Sequence, residues 1–468
     1  MKIELKEYIM RFRRAGLVAE PDFPRRCGTL AVVSVVFFVL VLGFRSWDNL
    51  IHPGLYMEDA GHYFNNYYGV KRYFSFVLQH PNGYYNILNN VVAWAASRLD
   101  IRLQPLSYHL FALSLGMAVA ACLAWSGVIR NRFILVVTPL ALGLSGMNHI
   151  FYYTSLTFQM YNVVVLLLCL FYFPSPKTWL GAFMLMALAA LLIWSGPYSV
   201  VALPVALLYL LCYEFDKKAV VCCGIIACIL WYTSSLQGGM IRFENILDPD
   251  LRRTIIEVLF GKVFLLDLGG TINPIKVVAV LIGFVSLFFG LRHDIRYLKI
   301  ALLALSTIIL SLAPLFLSEK ILLYQRVFPC HLYIAIFFWI FFLLCSLDAL
   351  LRRLPRYRSS GGALLAVAVL AVVWIDNSKH PDKGTITVMG QIPAFVEAIY
   401  QAEQLHLERE NLYAVACAEN IDPRAAPAKV RVGSRRWSAK PAPPERIGAL
   451  KDNPFLNGCV KVPAGAVH

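Results

Sequence analysis

Glu58 and Asp59 are adjacent carboxylates, followed by His62, in Met57-Glu58-Asp59-Ala60-Gly61-His62-Tyr63-Phe64-Asn65-Asn66-Tyr67-Tyr68. The chemistry this offers is general-base catalysis, in which a carboxylate takes a proton from a hydroxyl as that hydroxyl attacks. Neighbouring residues on a helix point about 100° apart, so only one of the pair faces a given site. Two-carboxylate glycosidase chemistry is therefore not expected from this pair alone. The structural alternative is that both are N-terminal charges of a helix, favoured by its dipole. His62 lies three or four residues on and shares a helical face with one or other carboxylate. It is a candidate for orienting that carboxylate or binding substrate, and His80, before Pro81, is another.

A second candidate group lies in Lys320-Ile321-Leu322-Leu323-Tyr324-Gln325-Arg326-Val327-Phe328-Pro329. The planar fork of Arg326 suits bidentate hydrogen bonding to a phosphate, with Tyr324 beside it and Lys320 as a further cation. The competing role is interfacial snorkelling. Tyr152, Tyr153, Phe158 and Tyr161 are expected to form a headgroup belt, and Gln159 carries no assignment.

These residues belong to a chain built for lipid. It has 468 residues, 59% hydrophobic and 15% charged, with a mean hydropathy of +0.62. A soluble domain is nearer half apolar and a quarter charged. The net charge of +15 comes largely from Lys and Arg flanking apolar runs, which points to topology and anionic headgroups, with no nucleic-acid partner. Apolar runs lie near 28–46, 107–129, 132–150, 160–174, 178–195, 197–214, 218–236, 272–291, 299–317, 328–350 and 362–376. They predict an all-α polytopic membrane protein of about eleven transmembrane helices. The basic tail, residues 1–27, shows no cleavable signal peptide and is assigned to the cytoplasm. The loops that then fall inside carry Arg130, Lys177, Lys217, Lys218, Arg292, Arg352 and Arg353, as the positive-inside rule asks.

The outer loops hold the remaining polar residues. The first, 47–106 within the transmembrane domain 28–376, is read as the catalytic loop. It contains two amphipathic interfacial helices: one from Glu58 through Val77, and one from Tyr84 with Leu88, Val91 and Ala95 apart from Asn82, Asn86, Asn89 and Asn90. Residues 377–468 form a small extracytoplasmic α/β domain with strands at 385–389 and 412–416 and a helix near 392–410. Cys417 and Cys459 there are either a disulfide or two thiols. The cysteines within apolar runs are expected to be core residues, and no cysteine spacing predicts a metal site.

The order of these parts resembles the GT-C superfamily of integral-membrane glycosyltransferases, which use lipid-phosphate-linked sugars. The likeness rests on one span, then a long outer loop opening on Glu58-Asp59, about ten more spans and a small outer C-terminal domain. Gln79-His80-Pro81-Asn82-Gly83-Tyr84 looks like a divergent form of the His-Pro-Pro-Leu stretch of the protein-mannosyltransferase and aminoarabinose-transferase branch, without its second proline. The resemblance implies Asp59 as catalytic base and a polyprenyl-phosphate sugar as donor, with no separate cofactor and no metal. The acceptor is a hydroxyl on a glycan, lipid or protein of the cell envelope, reached from the outer face of a bacterial inner membrane. An outward-facing polysaccharide polymerase or ligase is the enzymatic alternative. A lipid or solute transporter is the other, and would place ionisable residues within its spans.

Overall fold

The computed structural model describes residues 12–13, 23–51, 59, 63, 67, 74–78, 84–100, 103–136, 138, 155–235, 253, 256–264, 277, 281, 284–285, 288, 295–312, 332–353, 360–361, 363–364, 430–432 and 435–437. The chain is mostly helical. The helices are α1 (Phe23–Ile51), α2 (Ile87–Ala96), α3 (Gln104–Trp125), α4 (Gln159–Cys169), α5 (Trp179–Ile193), α6 (Ala202–Cys212), α7 (Lys217–Ser235), α8 (Ile295–Ser311) and α9 (Tyr333–Arg353). Among the described residues, three segments are long and apolar enough to cross a membrane: Gln104–Trp125, Lys217–Ser235 and Tyr333–Arg352. Two short strands, β1 (Val430–Val432) and β2 (Arg435–Trp437), pair antiparallel. The strands and helix expected at 385–416, and Cys417 and Cys459, lie outside the described residues.

α4 is the hub. It touches α3, α5, α6 and α9, and every side chain from Tyr161 to Tyr172 is buried. A helix apolar on all sides belongs inside a bundle. At about 1.5 Å per residue, Gln159–Tyr172 spans only about 21 Å, short of the ~30 Å hydrocarbon core. α5 behaves oppositely, with Trp179, Leu180, Phe183, Met184 and Leu188 exposed, an apolar face suited to lipid. Chain breaks fall where the sequence supplies them. After α5, the turn Ser195-Gly196-Pro197 leads into a 3-10 turn, Pro197–Val201. A Cβ at Gly196 would come within 3.0 Å of the Met160 carbonyl, so this turn can lie against α4 only as glycine.

Polar contacts gather at two ends of the bundle, and successive helices run between them. At one end, Lys218 Nζ donates to the Phe171 carbonyl (2.8 Å) and to that of Phe173, closing the C-terminal carbonyls after α4. The same ammonium lies 4.9 Å from the Tyr209 ring centroid, Tyr209 stacks on Tyr213 at 4.1 Å, and Lys299 lies 3.8 Å from the Tyr213 centroid. Arg13 joins them, donating from Nη2 to the Tyr213 carbonyl and accepting from Lys299 Nζ at its own. Asp348 of α9 accepts from the Arg130 and Asn131 amides (3.2 and 2.8 Å) and pairs with Arg352 at 3.2 Å. Asn131 Oδ1 in turn accepts from the Phe133 amide at 3.0 Å, capping the helix that starts at residue 132. Lys218 and Lys299, which the positive-inside pattern places in inner loops, are buried, with their ammonium groups hydrogen-bonded to backbone carbonyls.

α2 also departs from expectation. It packs on α3, on α5 and on the 3-10 turn Phe74–Leu78, so it is part of the bundle and not a helix lying free at the interface. Its buried face carries Asn86, Asn89 and Asn90, while Leu88 and Val91 are half-buried and Ala95 is exposed. The polar side turns inward because the interior offers partners for the amides. Of the other expected loop helix, the backbone is helical at Asp59, Tyr63 and Tyr67, four residues apart and all buried.

Candidate functional site: a buried polar layer around Asp59

At the end of the bundle away from Arg13, Asp59 is wholly buried. Its Oδ1 accepts from Ser155 Oγ (3.0 Å), the Thr157 amide (2.7 Å) and Thr157 Oγ1 (2.7 Å), and its Oδ2 accepts from the Leu156 amide at 3.2 Å. The carboxylate sits against the turn that leads into α4, where unpaired amides precede a helix. Four donors replace the water lost on burial, which is what makes a buried carboxylate tolerable. They also fix the first loop to the hub helix.

Two further sets of hydrogen bonds spread from this point. Toward α2, Asn89 Nδ2 donates to the Leu156 carbonyl (2.7 Å) and to Tyr63 Oη (3.1 Å), and Asn86 Nδ2 donates to the same Oη at 2.8 Å. Asn86 occupies the N-cap of α2 without capping it. The first amides of α2 are instead satisfied by the turn after α5: Ile87 N–H donates to the Trp194 carbonyl at 3.1 Å and Leu88 N–H to Ser195 Oγ at 3.1 Å. Asn90 Nδ2 ties the helix to the Val77 carbonyl at 3.1 Å. Toward α9, Gln159 Nε2 donates to the Ser155 carbonyl (2.7 Å), Asn162 Nδ2 to Gln159 Oε1 (2.9 Å), and Tyr333 Oη to Asn162 Oδ1 (2.8 Å).

Aromatic rings line the same end. Tyr161 stacks on Tyr198 at 5.1 Å and meets Tyr333 edge-on at 6.2 Å, and Tyr85 meets Trp194 edge-on at 4.7 Å. Tyr161 is 1% exposed, so it is a core residue and not part of a headgroup belt. Its ring is held between those of the Pro197–Val201 turn and α9.

Of the residues singled out by type and spacing, Asp59 is placed in this layer. Glu58, His62, His80, Lys320, Tyr324 and Arg326 lie outside the described residues. Asn86, Asn89, Ser155, Thr157, Asn162 and Tyr333 had carried no role. Their only advance signal was a density of amides and hydroxyls beside apolar runs, which a bundle interior makes costly unless they are paired. Among the described residues, no three His, Cys, Asp or Glu side chains come together as a metal-binding group. The chain matches no family model, no curated protein and no solved structure.

Proposed function

We propose that the protein is a membrane glycosyltransferase that moves a sugar from a polyprenyl-phosphate donor to an acceptor hydroxyl, acting from the outer face of a bacterial inner membrane. The observation that supports this reading is the position of Asp59: a loop carboxylate held at one end of a helical bundle, within a layer of amides, hydroxyls and tyrosine rings. In this reading the acceptor hydroxyl attacks the anomeric carbon while Asp59 takes its proton. A sugar hydroxyl is too weak an acid to ionise beforehand, so the base acts in the transition state. The C–O bond to the lipid phosphate breaks on the opposite side, the configuration inverts, and the phosphate leaves with the electron pair. Arg326, with Tyr324 and Lys320 beside it, offsets the charge growing on that phosphate. His62 and His80 are assigned to substrate binding in the same loop.

A second assignment within the pair has its own support. The four donors on Asp59 suit a residue that fixes the loop, which would leave Glu58 as the base. The test is glycosyl transfer from a polyprenyl-phosphate sugar by Asp59→Asn and Glu58→Gln protein of matched folded fraction. Loss with Asp59→Asn alone supports the first assignment, and loss with Glu58→Gln alone moves the base to Glu58. Full transfer by both variants ends the catalytic-loop reading.

A further inference from the structure

Most buried polar atoms around Asp59 have partners, and the exceptions are informative. The Oδ1 atoms of Asn86 and Asn89 accept no hydrogen bond among the described residues, although the two side chains are 4% and 0% exposed. The orientation of Asn89 is fixed by its partner. Asn89 Nδ2 faces the Leu156 carbonyl, which can only accept, so Oδ1 is the atom left over. Both amides converge through Nδ2 on Tyr63 Oη, so each carbonyl oxygen belongs to an amide group anchored at that common point.

Buried acceptors left open call for a donor that the described residues do not supply. A phosphate or carboxylate brings lone pairs where hydrogens are needed, and an apolar tail brings neither. A polyhydroxylated group brings O–H donors, and the tyrosine and tryptophan rings at this end suit the C–H faces of a sugar. We propose that the carbonyl oxygens of Asn86 and Asn89 are the hydrogen-bond acceptors of a sugar-binding site in which Tyr63 positions both amides. The identity of the ligand rests on the glycosyl-transfer reading above. The sugar is either that of the donor or that of the acceptor, and the chemistry of recognition is the same for both.

The test uses the full-length protein in polymer nanodiscs free of sugar detergents. It is titrated with the methyl glycosides of glucose, galactose and mannose, with cyclohexanol as a single-hydroxyl control, and read by saturation-transfer NMR. The expected result is saturable binding of at least one glycoside, none of cyclohexanol, and at least a tenfold weakening in Asn86→Ala and in Asn89→Ala. Asn89 also holds the Leu156 carbonyl, so a density map of the wild-type protein with the bound glycoside provides an arm independent of variant folding. Sugar hydroxyls at both carbonyl oxygens support the site. Ordered water alone at those oxygens, or no glycoside binding, overturns it. Displacement of the glycoside by a polyprenyl-phosphate hexose identifies the donor sugar as occupant, and undiminished binding identifies the acceptor. The two proposals fail separately. Transfer that depends on Asp59 or Glu58, with glycoside binding unaltered by both alanine variants, removes this site and leaves the function. Glycoside binding lost in those variants, with full transfer by Asp59→Asn and Glu58→Gln, removes the catalytic loop and leaves the site.

Discussion

Each end of the bundle holds a buried aspartate that gathers backbone amides from just before a distant helix. Asp348 receives the Arg130 and Asn131 amides and also pairs with Arg352, so its charge is met by an opposite one. Asp59 receives the Leu156 and Thr157 amides with two hydroxyls, and these four donors are neutral. The difference separates two uses of one side chain. An ion pair inside a protein is closed, with charge cancelled at its source and little reason to react. At Asp59 two side-chain hydroxyls join the backbone amides, and hydrogen bonds of fixed direction orient the carboxylate as a base or a ligand-orienting group requires.

The sharpest way to break this comparison is by activity. In the proposed function, Asp59→Asn lowers transfer per folded molecule by at least about 100-fold, the low end of general-base contributions. Asp348→Asn leaves transfer per folded molecule unchanged. A matched pair of turnover measurements decides it, and equal losses would erase the distinction. Stability should reverse the order. Asp348→Ala takes a buried carboxylate away from Arg352 and two amides, with an expected loss of about 3–5 kcal/mol, read as unfolding in mixed micelles of rising denaturing-detergent fraction. Arg352→Ala costs less in the same assay, since its side chain keeps 20% exposure. A smaller effect is expected where the Asp59 layer reaches α9. Asn162→Leu leaves Gln159 Oε1 and Tyr333 Oη without the partners they have here, at about 1–3 kcal/mol in the same assay. The smallest lies away from both ends. In Gly224→Ala the new Cβ would meet Met186 Sδ at 2.5 Å, and because that side chain is flexible the cost is about 1 kcal/mol. Met186→Ala in the same molecule should cancel most of that overpacking in a thermal-melting series.

The sequence made the helical class legible because apolar runs report burial in lipid and in protein alike. The same ambiguity hid which runs face lipid. Nothing in Val163-Val164-Val165-Leu166-Leu167-Leu168 distinguishes an enclosed helix from a lipid-facing one, and only the packing of α3, α5, α6 and α9 around it does so. Periodicity likewise revealed two faces on α2 but assigned them the wrong surroundings. It reports that Asn86, Asn89 and Asn90 lie together, not that Tyr63, Leu156 and Val77 wait for them. Asp59 was legible as a candidate because a carboxylate beside so much aromatic surface is unusual. Its partners at 155–157 were not, because a separation of 96 to 98 residues leaves no local trace. Lys218 and Lys299 were obscured for another reason. A basic residue beside an apolar run is what membrane topology already expects, so a buried one carries no separate mark.

The docking of α2 has a consequence for how the molecule is made. Its first amides are satisfied by Trp194 and Ser195, and Leu88 and Ser195 lie 107 residues apart. A ribosome feeding this chain into a membrane delivers the first loop long before the turn that completes it. The docking of α2 must therefore stay unfinished while α3, α4 and α5 are made, and it closes only when Trp194 and Ser195 arrive. A truncation ending before that turn would leave the loop helix with open amides.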